Sequence, residues 1–261
     1  MIFYNLKLVL ILILIFVLVL IKNNNFEKFK NKFVNQYIKK KPNIAILIIT
    51  TKGERFDIEK TKWKKYMNLR NNIKCYFIEC NNIERFNNYK LDCKESYKPG
   101  IYQKSLLSLK KIGPNYDFYI RTNLSTFLIF DYLEDYLKNI PIDIPILSGR
   151  CNNKYYASGT SIVLNKLGRK LLLKYGFKKK YFNNEKRPDD VLIGKVFKDK
   201  KNFCSVINKN SLYYWKYNQE YHSNLKTIIK YKYPFIRLKN RNETNSYEEV
   251  INKLIKLYYN K

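Results

Sequence analysis

The sequence has few of the residues that build metal centres and tight turns. Its 261 residues include one His, five Cys, eight Gly and seven Pro. The cysteines form neither a Cys-x-x-Cys pair nor the spacing of a zinc knuckle, which argues against a zinc site. They are Cys75, Cys80, Cys93, Cys151 and Cys204. Because their number is odd, at least one thiol is unpaired, and one or two disulfides are compatible with the sequence without an assigned pairing.

Acidic residues are also scarce. The chain has 21 Asp and Glu against 51 Lys and Arg, which gives a formal net charge of +30. Such a field attracts nucleic acid, anionic lipid head groups or phosphorylated ligands, and its sign alone does not separate these partners. The basic residues are spread along the chain without an arginine-rich tail, so we do not expect a dedicated nucleic-acid-binding function. A hydrophobic content of 46% is too high for a disordered chain and predicts one globular domain.

The N-terminus carries a long apolar run. Every residue from Leu8 to Ile21 is Leu, Val, Ile or Phe, and with the apolar residues before it the run is long enough to span a bilayer. No small-residue cleavage site follows it. We therefore predict a single-pass signal anchor at residues 1–22, a stalk at residues 23–42 and one domain at residues 43–261. The lysines after the run favour a cytoplasmic domain by the positive-inside rule, and the orientation stays open.

Strand and helix patterns alternate along the domain. Residues 43–50 form a short apolar run rich in β-branched residues, typical of a strand buried on both faces. We predict a helix through Trp63, further strands at residues 74–79 and 117–121, and a mixed sheet in the second half. Apolar residues at helical spacing indicate three more helices, namely Tyr102, Leu106 and Leu109; Phe130, Leu133 and Leu137; and Val250, Leu254 and Leu257. This order predicts an α/β fold with a mainly parallel sheet flanked by helices.

Polar residues follow two of the predicted strands. Ligands of open parallel sheets bind beyond the carboxyl ends of the strands, so these residues are candidate ligand contacts. The candidates after the first strand are Thr50, Thr51 and Arg55, which fit a nucleotide contact and a plain loop equally well. The candidates after the strand at 117–121 are Arg121, Thr122, Asn123 and Ser125. The Arg is suited to neutralise a diphosphate, whereas the Asn and Ser alternatively cap a helix predicted at residues 128–137.

Two further segments of the second half carry possible chemistry. Tyr156, Ser158 and Gly159 lie in a stretch of small residues that would let a ligand approach the backbone closely. Asp189 and Asp190 open an apolar helix directly after a proline. Acids at this position are commonly partners of the helix dipole. The functional interpretation is that one carboxylate is a general base toward a hydroxyl while neighbouring donors hold the other.

The order and spacing of these segments resemble those of the fringe and β-1,3-galactosyltransferase group over roughly residues 44 to 200. The segments that carry the resemblance are Ile46–Thr51 with Arg55 and Trp63, Glu95–Tyr97 with Lys104–Leu106, Tyr155–Leu164, and Asp189–Val191 with Gly194. The last two are similar to the family's Ser-Gly-Gly block and its Glu-Asp-Val-x-x-Gly block. These two blocks in sequence are fairly specific.

The resemblance implies a GT-A fold, which is a Rossmann-like, mixed and mainly parallel sheet flanked by helices. It also implies an inverting transfer of a sugar from a UDP-sugar to a hydroxyl of a glycan or glycoprotein, with Asp190 as the base. The residues after the first and third strands and Arg237 would contact the donor, and Tyr156, Ser158 and Gly159 the acceptor. Such enzymes lie in the lumen of the Golgi or endoplasmic reticulum.

The chain departs from this family at the metal site. The family's Asp-x-Asp motif falls on residues 121–125, which contain no carboxylate, and its metal-ligating His falls on Phe235–Arg237 rather than on His222. We therefore expect no Mn²⁺ bound in the usual manner. Preorganised cations would then stabilise the leaving diphosphate, and the candidates are Arg121, Arg237, Lys239 and Arg241.

The missing motif also supports a second hypothesis. Under this second hypothesis, the chain is an inactive glycosyltransferase-like protein that binds glycans or acts as a scaffold at the membrane. The basic C-terminal run would then be a solvated tail.

Overall fold

The computed structural model describes residues 41–80, 91–152, 155–205, 210–238 and 244–259. The chain divides into two compact units, residues 1–41 and 42–261, and the described elements belong to the second. The predicted anchor and nearly all of the predicted stalk lie outside the described residues. Within the described ranges no helix has the length and apolar character needed to cross a membrane.

The domain contains short strands and longer helices in alternation. The strands are β1 Ile44–Ile49, β2 Ile73–Ile78, β3 Phe118–Asn123, β4 Thr126–Leu128, β5 Leu147–Ser148, β6 Cys151–Asn152, β7 Tyr156–Ala157, β8 Ile162–Asn165, β9 Cys204–Ser205, β10 Leu212–Tyr214 and β11 Phe235–Arg237. The helices are α1 Glu54–Lys64, α2 Gly100–Ile112, α3 Phe130–Lys138, α4 Lys166–Gly176, α5 Lys179–Phe182, α6 Asp189–Lys198, α7 Tyr221–Tyr231 and α8 Thr244–Tyr258.

A six-stranded sheet forms the centre, in the order β2-β1-β3-β8-β5-β9. Strands β2, β1 and β3 are parallel, and β5 is parallel to β9, whereas β8 runs antiparallel to both of its neighbours. The predicted α/β class with a mixed, mostly parallel sheet flanked by helices is therefore confirmed. In register, Ile49 of β1 lies beside Asn123 of β3, so these two strands end at the same edge of the sheet.

The core lies on both faces of this sheet. Because side chains alternate along a strand, Ile44, Ile46 and Ile48 of β1 belong to one hydrophobic cluster and Ala45, Leu47 and Ile49 to the other. Helices α1, α3 and α8 supply the first cluster, which includes Trp63, Leu133 and Leu254. Helices α2, α4 and α6 supply the second, which includes Leu106, Leu172 and Leu192. Both faces of the sheet are thus covered, as the apolar sequence of β1 predicted.

A second sheet has three strands in the order β10-β11-β4, and β4 is antiparallel to β11. Its strand β4 follows β3 of the central sheet directly in the sequence. The interpretation of Asn123 and Ser125 as helix caps is wrong, because β4 lies between them and the next helix. That helix, α3, begins at Phe130, and its N-cap Ile129 makes no side-chain capping bond. The apolar residues Phe127 and Leu128 belong to the strand, not to the helix predicted from residue 128.

Two disulfides join four of the five cysteines. Cys80 is bonded to Cys93 and Cys151 to Cys204, while Cys75 is a buried free thiol whose pKa is raised by burial.

The last helix differs from its prediction in one residue. In α8 Val250 and Leu254 are buried, but Leu257 is 43% exposed.

Candidate functional site

A cavity of about 900 Å³ lies beyond the carboxyl ends of β1 and β3. Its lining also includes the first half of α1, residues 95–104, the segment before β8, the start of α6 and the ends of β10 and β11. This position is the usual ligand site of an open α/β sheet, and the volume falls in the range of small-molecule sites.

Most of the predicted site residues line this cavity. They are Thr50, Thr51, Arg55, Arg121, Asn123, Ser125, Ser158, Gly159, Asp189, Asp190 and Arg237. Thr122 and Tyr156 do not line it. The Thr122 hydroxyl points to the carbonyl oxygen of Thr160, to which it donates at 2.8 Å, and Tyr156 packs against Gly194. The fold therefore brings together residues that are separated by up to 187 positions in the sequence.

Arg121 is already paired within the protein. Its Nη2 lies 2.6 Å from Oδ2 of Asp189, and both side chains are less than a tenth exposed. Its Nη1 donates to the carbonyl oxygen of Gly159 and, at 3.0 Å, to Oδ1 of Asn123. The guanidinium therefore joins β3 to α6 and to the segment before β8. Its charge is compensated before any ligand arrives, which makes it a positioning group rather than a free cation.

The two adjacent aspartates have different environments. Burial raises the pKa of Asp189, the guanidinium of Arg121 opposes this shift, and the charge of Asp190 adds to it. Asp190 is only half-buried. Its Oδ2 accepts a 3.2 Å hydrogen bond from the backbone N–H of Gly159, and its Oδ1 accepts one of 2.8 Å from Val191. Of the two carboxylates, Asp190 is thus the one that remains open to a ligand.

Gly159 is required by close packing at this point. A Cβ atom there would lie 2.7 Å from Nη1 of Arg121 and 3.6 Å from Oδ2 of Asp190. The sequence suggested that small residues here let a ligand approach the backbone. In the structure the group that approaches is Arg121. The small residue therefore makes room for the contacts of Gly159 with Arg121 and Asp190.

Arg237, the last residue of β11, is a cavity cation that pairs with no carboxylate of the described residues. It donates to Oγ1 of Thr160. Burial lowers its pKa, the nearby Tyr214 opposes the shift, Arg121 lowers the pKa further, and Asp190 opposes it. A half-buried guanidinium on a cavity wall, without a described carboxylate beside it, is suited to bind an anion.

Glu95 and Lys104 are cavity residues that the sequence did not identify as site residues. Lys104 is 2% exposed and donates to the carbonyl oxygen of Thr50 at 2.6 Å and to Oε2 of Glu95 at 2.5 Å. Glu95 also accepts from the hydroxyl of Thr51 at 3.1 Å and from the backbone of Cys80 at 2.8 Å. The one signal for them was the family resemblance at Glu95–Tyr97 and Lys104–Leu106, because helical periodicity does not mark a lysine for burial.

The charges that face the cavity cancel among the described residues. The basic ones are Arg55, Lys104, Arg121 and Arg237, and the acidic ones are Glu59, Glu95, Asp189 and Asp190. This balance contrasts with the net charge of +30 for the whole chain. The excess charge of the protein therefore lies elsewhere, and specific donors rather than a general positive field would hold an anionic ligand.

Lys239, Arg241 and His222 are the remaining residues that the sequence analysis considered. Lys239 and Arg241 fall in residues 239–243, outside the described ranges. His222 is an exposed residue of α7 and does not line the cavity. In the ranges that the structure describes, no group of three or more His, Cys, Asp or Glu side chains could hold a metal ion.

Comparisons with known proteins add no relative. A scan against protein-family models finds no match, and a search of curated proteins finds none either. The functional argument therefore depends on the geometry of the cavity.

Proposed function

We propose that the chain is a membrane-anchored, inverting glycosyltransferase of GT-A type that transfers a sugar from a UDP-sugar to a hydroxyl group. One observation carries the proposal: a half-buried carboxylate, Asp190, and a half-buried guanidinium that pairs with no described carboxylate, Arg237, face the same cavity at the carboxyl edge of the sheet. These are the two groups that a metal-independent transfer needs, a base for the acceptor and a cation for the leaving group.

Asp190 has the geometry of a general base. In the proposed step it takes the proton of the acceptor hydroxyl as the oxygen forms a bond to the anomeric carbon of the donor. The bond from that carbon to the phosphate oxygen breaks at the same time, and its electron pair leaves with the nucleoside diphosphate. Attack from the side opposite the leaving group inverts the anomeric configuration. The hydrogen bonds from the backbone N–H groups of Gly159 and Val191 orient the carboxylate that accepts the proton.

Arg237 would stabilise the departing diphosphate. Negative charge develops on the phosphate oxygens as the glycosidic bond breaks, and a preorganised cation in a partly desolvated cavity lowers the barrier for this step. Arg121 would act indirectly, because its pairing with Asp189 and Gly159 positions the base. It would not contact the phosphates as a free charge.

A divalent metal does not fit the residues present. Positions 121–125, where the family carries its metal motif, hold no carboxylate. Two acidic side chains of the cavity are engaged, Asp189 by Arg121 and Glu95 by Lys104. We derive no catalytic step through a metal.

The two disulfides support a lumenal domain. Disulfides persist in oxidising compartments and are rare in the cytosol. Four of five cysteines are paired at bonding distance. Together with the apolar N-terminus, this pairing favours an endomembrane protein with its domain in the lumen.

Donor turnover tests the proposal. The purified full-length chain is incubated with a panel of UDP-sugars in chelator, and release of UDP is measured for the wild type, Asp190→Asn and Asp199→Asn. We expect Asp190→Asn to lower turnover about 10²- to 10⁴-fold, the usual contribution of general-base catalysis. Asp199, which is paired with Lys180 outside the cavity, is the matched control and should retain wild-type turnover.

Arg237→Met provides the second arm of this experiment. It should abolish the thermal stabilisation that UDP gives the wild-type chain by mass action. Turnover that persists in Asp190→Asn would show that the base is assigned wrongly.

An inactive, glycan-binding relative of these enzymes is the second candidate, and the cancelled charge of the cavity favours it. It predicts no turnover of any UDP-sugar and no stabilisation by UDP, with or without Mn²⁺.

A further inference from the structure

Tyr214 places an exposed aromatic ring on the cavity wall. It is the last residue of β10, it lines the cavity, and it is 44% exposed. Of the described residues that line the cavity, only Tyr97 is another large hydrophobic side chain with comparable exposure. An aromatic ring left half-exposed inside a cavity offers apolar area that a ligand can cover.

A cation that is not part of the cavity lining packs on this ring. The guanidinium of Arg150 lies 4.6 Å from the centre of the Tyr214 ring, and Arg150 itself does not line the cavity. A cation at this distance from a ring face is attracted by the quadrupole of the ring. The backbone of Tyr214 pairs in register with Arg237, and Cys151, which follows Arg150 in the sequence, is bonded to Cys204. The backbone positions of the ring and of the cation beside it are therefore held by the fold.

Tyr214 lies close to the groups that the proposed reaction uses. Tyr214 pairs in register with Arg237, and both residues line the same cavity as Asp190. The space beside the Tyr214 ring is therefore part of the cavity that contains the proposed base. The other exposed ring, Tyr97, follows Glu95 on the wall that contains Thr51 and the end of β1.

We propose that Tyr214 is a stacking platform for a pyranose ring of the acceptor, which would make the acceptor substrate a glycan rather than a serine or threonine hydroxyl of a polypeptide. The inference rests on the proposed function, since it places the acceptor beside Asp190. The apolar face of a pyranose carries C–H bonds of partial positive charge, and the face of an aromatic ring is negative. A sugar that lies on the ring presents its equatorial hydroxyl groups at the ring edge, inside the cavity that Asp190 also lines.

Binding of simple glycosides tests the platform without any donor. Saturation-transfer NMR is recorded on the intact chain with the methyl β-glycosides of glucose, galactose and N-acetylglucosamine. We expect saturation on one face of the pyranose, its loss in Tyr214→Ala, and its retention in Tyr214→Phe, which keeps the ring. Tyr231→Ala is the matched control, because Tyr231 is 41% exposed on α7 and does not line the cavity. Unchanged saturation in Tyr214→Ala, or its loss in Tyr214→Phe, would overturn the proposal.

Transfer assays then separate the two kinds of acceptor. With an active UDP-sugar, Tyr214→Ala should raise the KM for a glycoside acceptor about 5- to 10-fold, the range of one aromatic contact, with the donor KM unchanged. A threonine-containing peptide should be a poor acceptor for both proteins, and efficient transfer to the peptide alone would refute the glycan assignment. If no UDP-sugar is turned over, the proposed function fails, whereas loss of glycoside binding in Tyr214→Ala would still establish the platform.

Discussion

Arg121 and Asp189 form an ion pair in the wall of the cavity, where neither side chain is well hydrated. Taking two charges out of water is costly, and the pair repays this only while both partners are present. Arg121 further donates to Gly159, so the pair also fixes the backbone that donates to Asp190. At the scale of single residues, the stability of the domain and the alignment of the proposed base therefore depend on the same contact.

A double-mutant cycle measures this contact. Arg121→Gln leaves a buried carboxylate without its cation, and Asp189→Asn leaves a buried guanidinium without its anion, so each should cost about 3–5 kcal/mol of unfolding free energy. The double variant should cost less than the sum, because no unpaired buried charge remains. Urea unfolding followed by the fluorescence of the buried Trp63 and Trp215 gives the values. Strict additivity of the two single variants would contradict a direct ion pair.

The strands and helices were predictable to different degrees. The apolar, β-branched sequence of β1 identified a strand buried on both faces, and spacings of three and four identified α2 and α3. Strand β4 was not predictable, because Thr126–Leu128 has only three residues and two of them continue the apolar pattern of the next helix. Asn123 and Ser125 have the side chains of helix caps, but tertiary pairing of β4 with β11 overrides that local preference.

The site was predictable where it follows strands and unpredictable where it depends on pairing across the fold. Polar residues after β1 and β3 marked the cavity correctly, since all parallel strands end at one edge of the sheet. The contact of Lys104 with Glu95 and Thr50 joins three separate segments, and no local pattern encodes it. The choice of Arg237 as the cation without a carboxylate partner likewise needed the fold, because Arg121 looks equally free in the sequence.

The disulfide between Cys80 and Cys93 connects the end of β2 to the segment that carries Glu95. Glu95 accepts from the backbone of Cys80 and, through Lys104 and Thr51, holds the end of β1 at the cavity. At the scale of elements, this disulfide therefore fixes the cavity wall beside the first strand.

Two pairs of cysteine variants separate stability from binding. Each of Cys80→Ser/Cys93→Ser and Cys151→Ser/Cys204→Ser should cost about 3–4 kcal/mol of unfolding free energy, with the larger loss for the longer loop. Only Cys80→Ser/Cys93→Ser should weaken UDP binding several-fold, as measured by calorimetry at a temperature where both variants are folded. Equal affinities in the two variants would show that the disulfide does not support the cavity wall.

Tyrosines set the alkaline limit of the whole molecule. The chain has 24 of them, and burial raises the pKa of both Tyr136 and Tyr217 to about 12, with hydrogen bonds from the Ser148 side chain and the Gly149 backbone opposing the shift at Tyr136. The ordinary value is about 10. The folded protein therefore keeps protons that the unfolded chain loses above pH 10, so this contribution to stability is complete below about pH 10 and lost as the pH rises toward 12.

An ultraviolet titration checks this prediction. Part of the tyrosinate absorbance should appear only together with unfolding. Because Tyr136→Phe removes one of the groups that ionise on unfolding, its free energy of unfolding should fall less between pH 10 and pH 12 than that of the wild type. Smooth titration of every tyrosine near pH 10, in a chain that stays folded, would contradict the burial of these hydroxyls.

The cancelled charge of the cavity has a consequence for the end of a catalytic cycle. A transferase must discard a nucleoside diphosphate that carries more negative charge than the donor it came from. A strongly electropositive cavity would retain that product and slow the next round. Among the described residues of the cavity the acidic groups match the basic ones, and in the proposed reaction a single guanidinium without a carboxylate partner would hold the anion. Under that proposal UDP should depart rapidly and inhibit only weakly, so that turnover would continue where UDP accumulates.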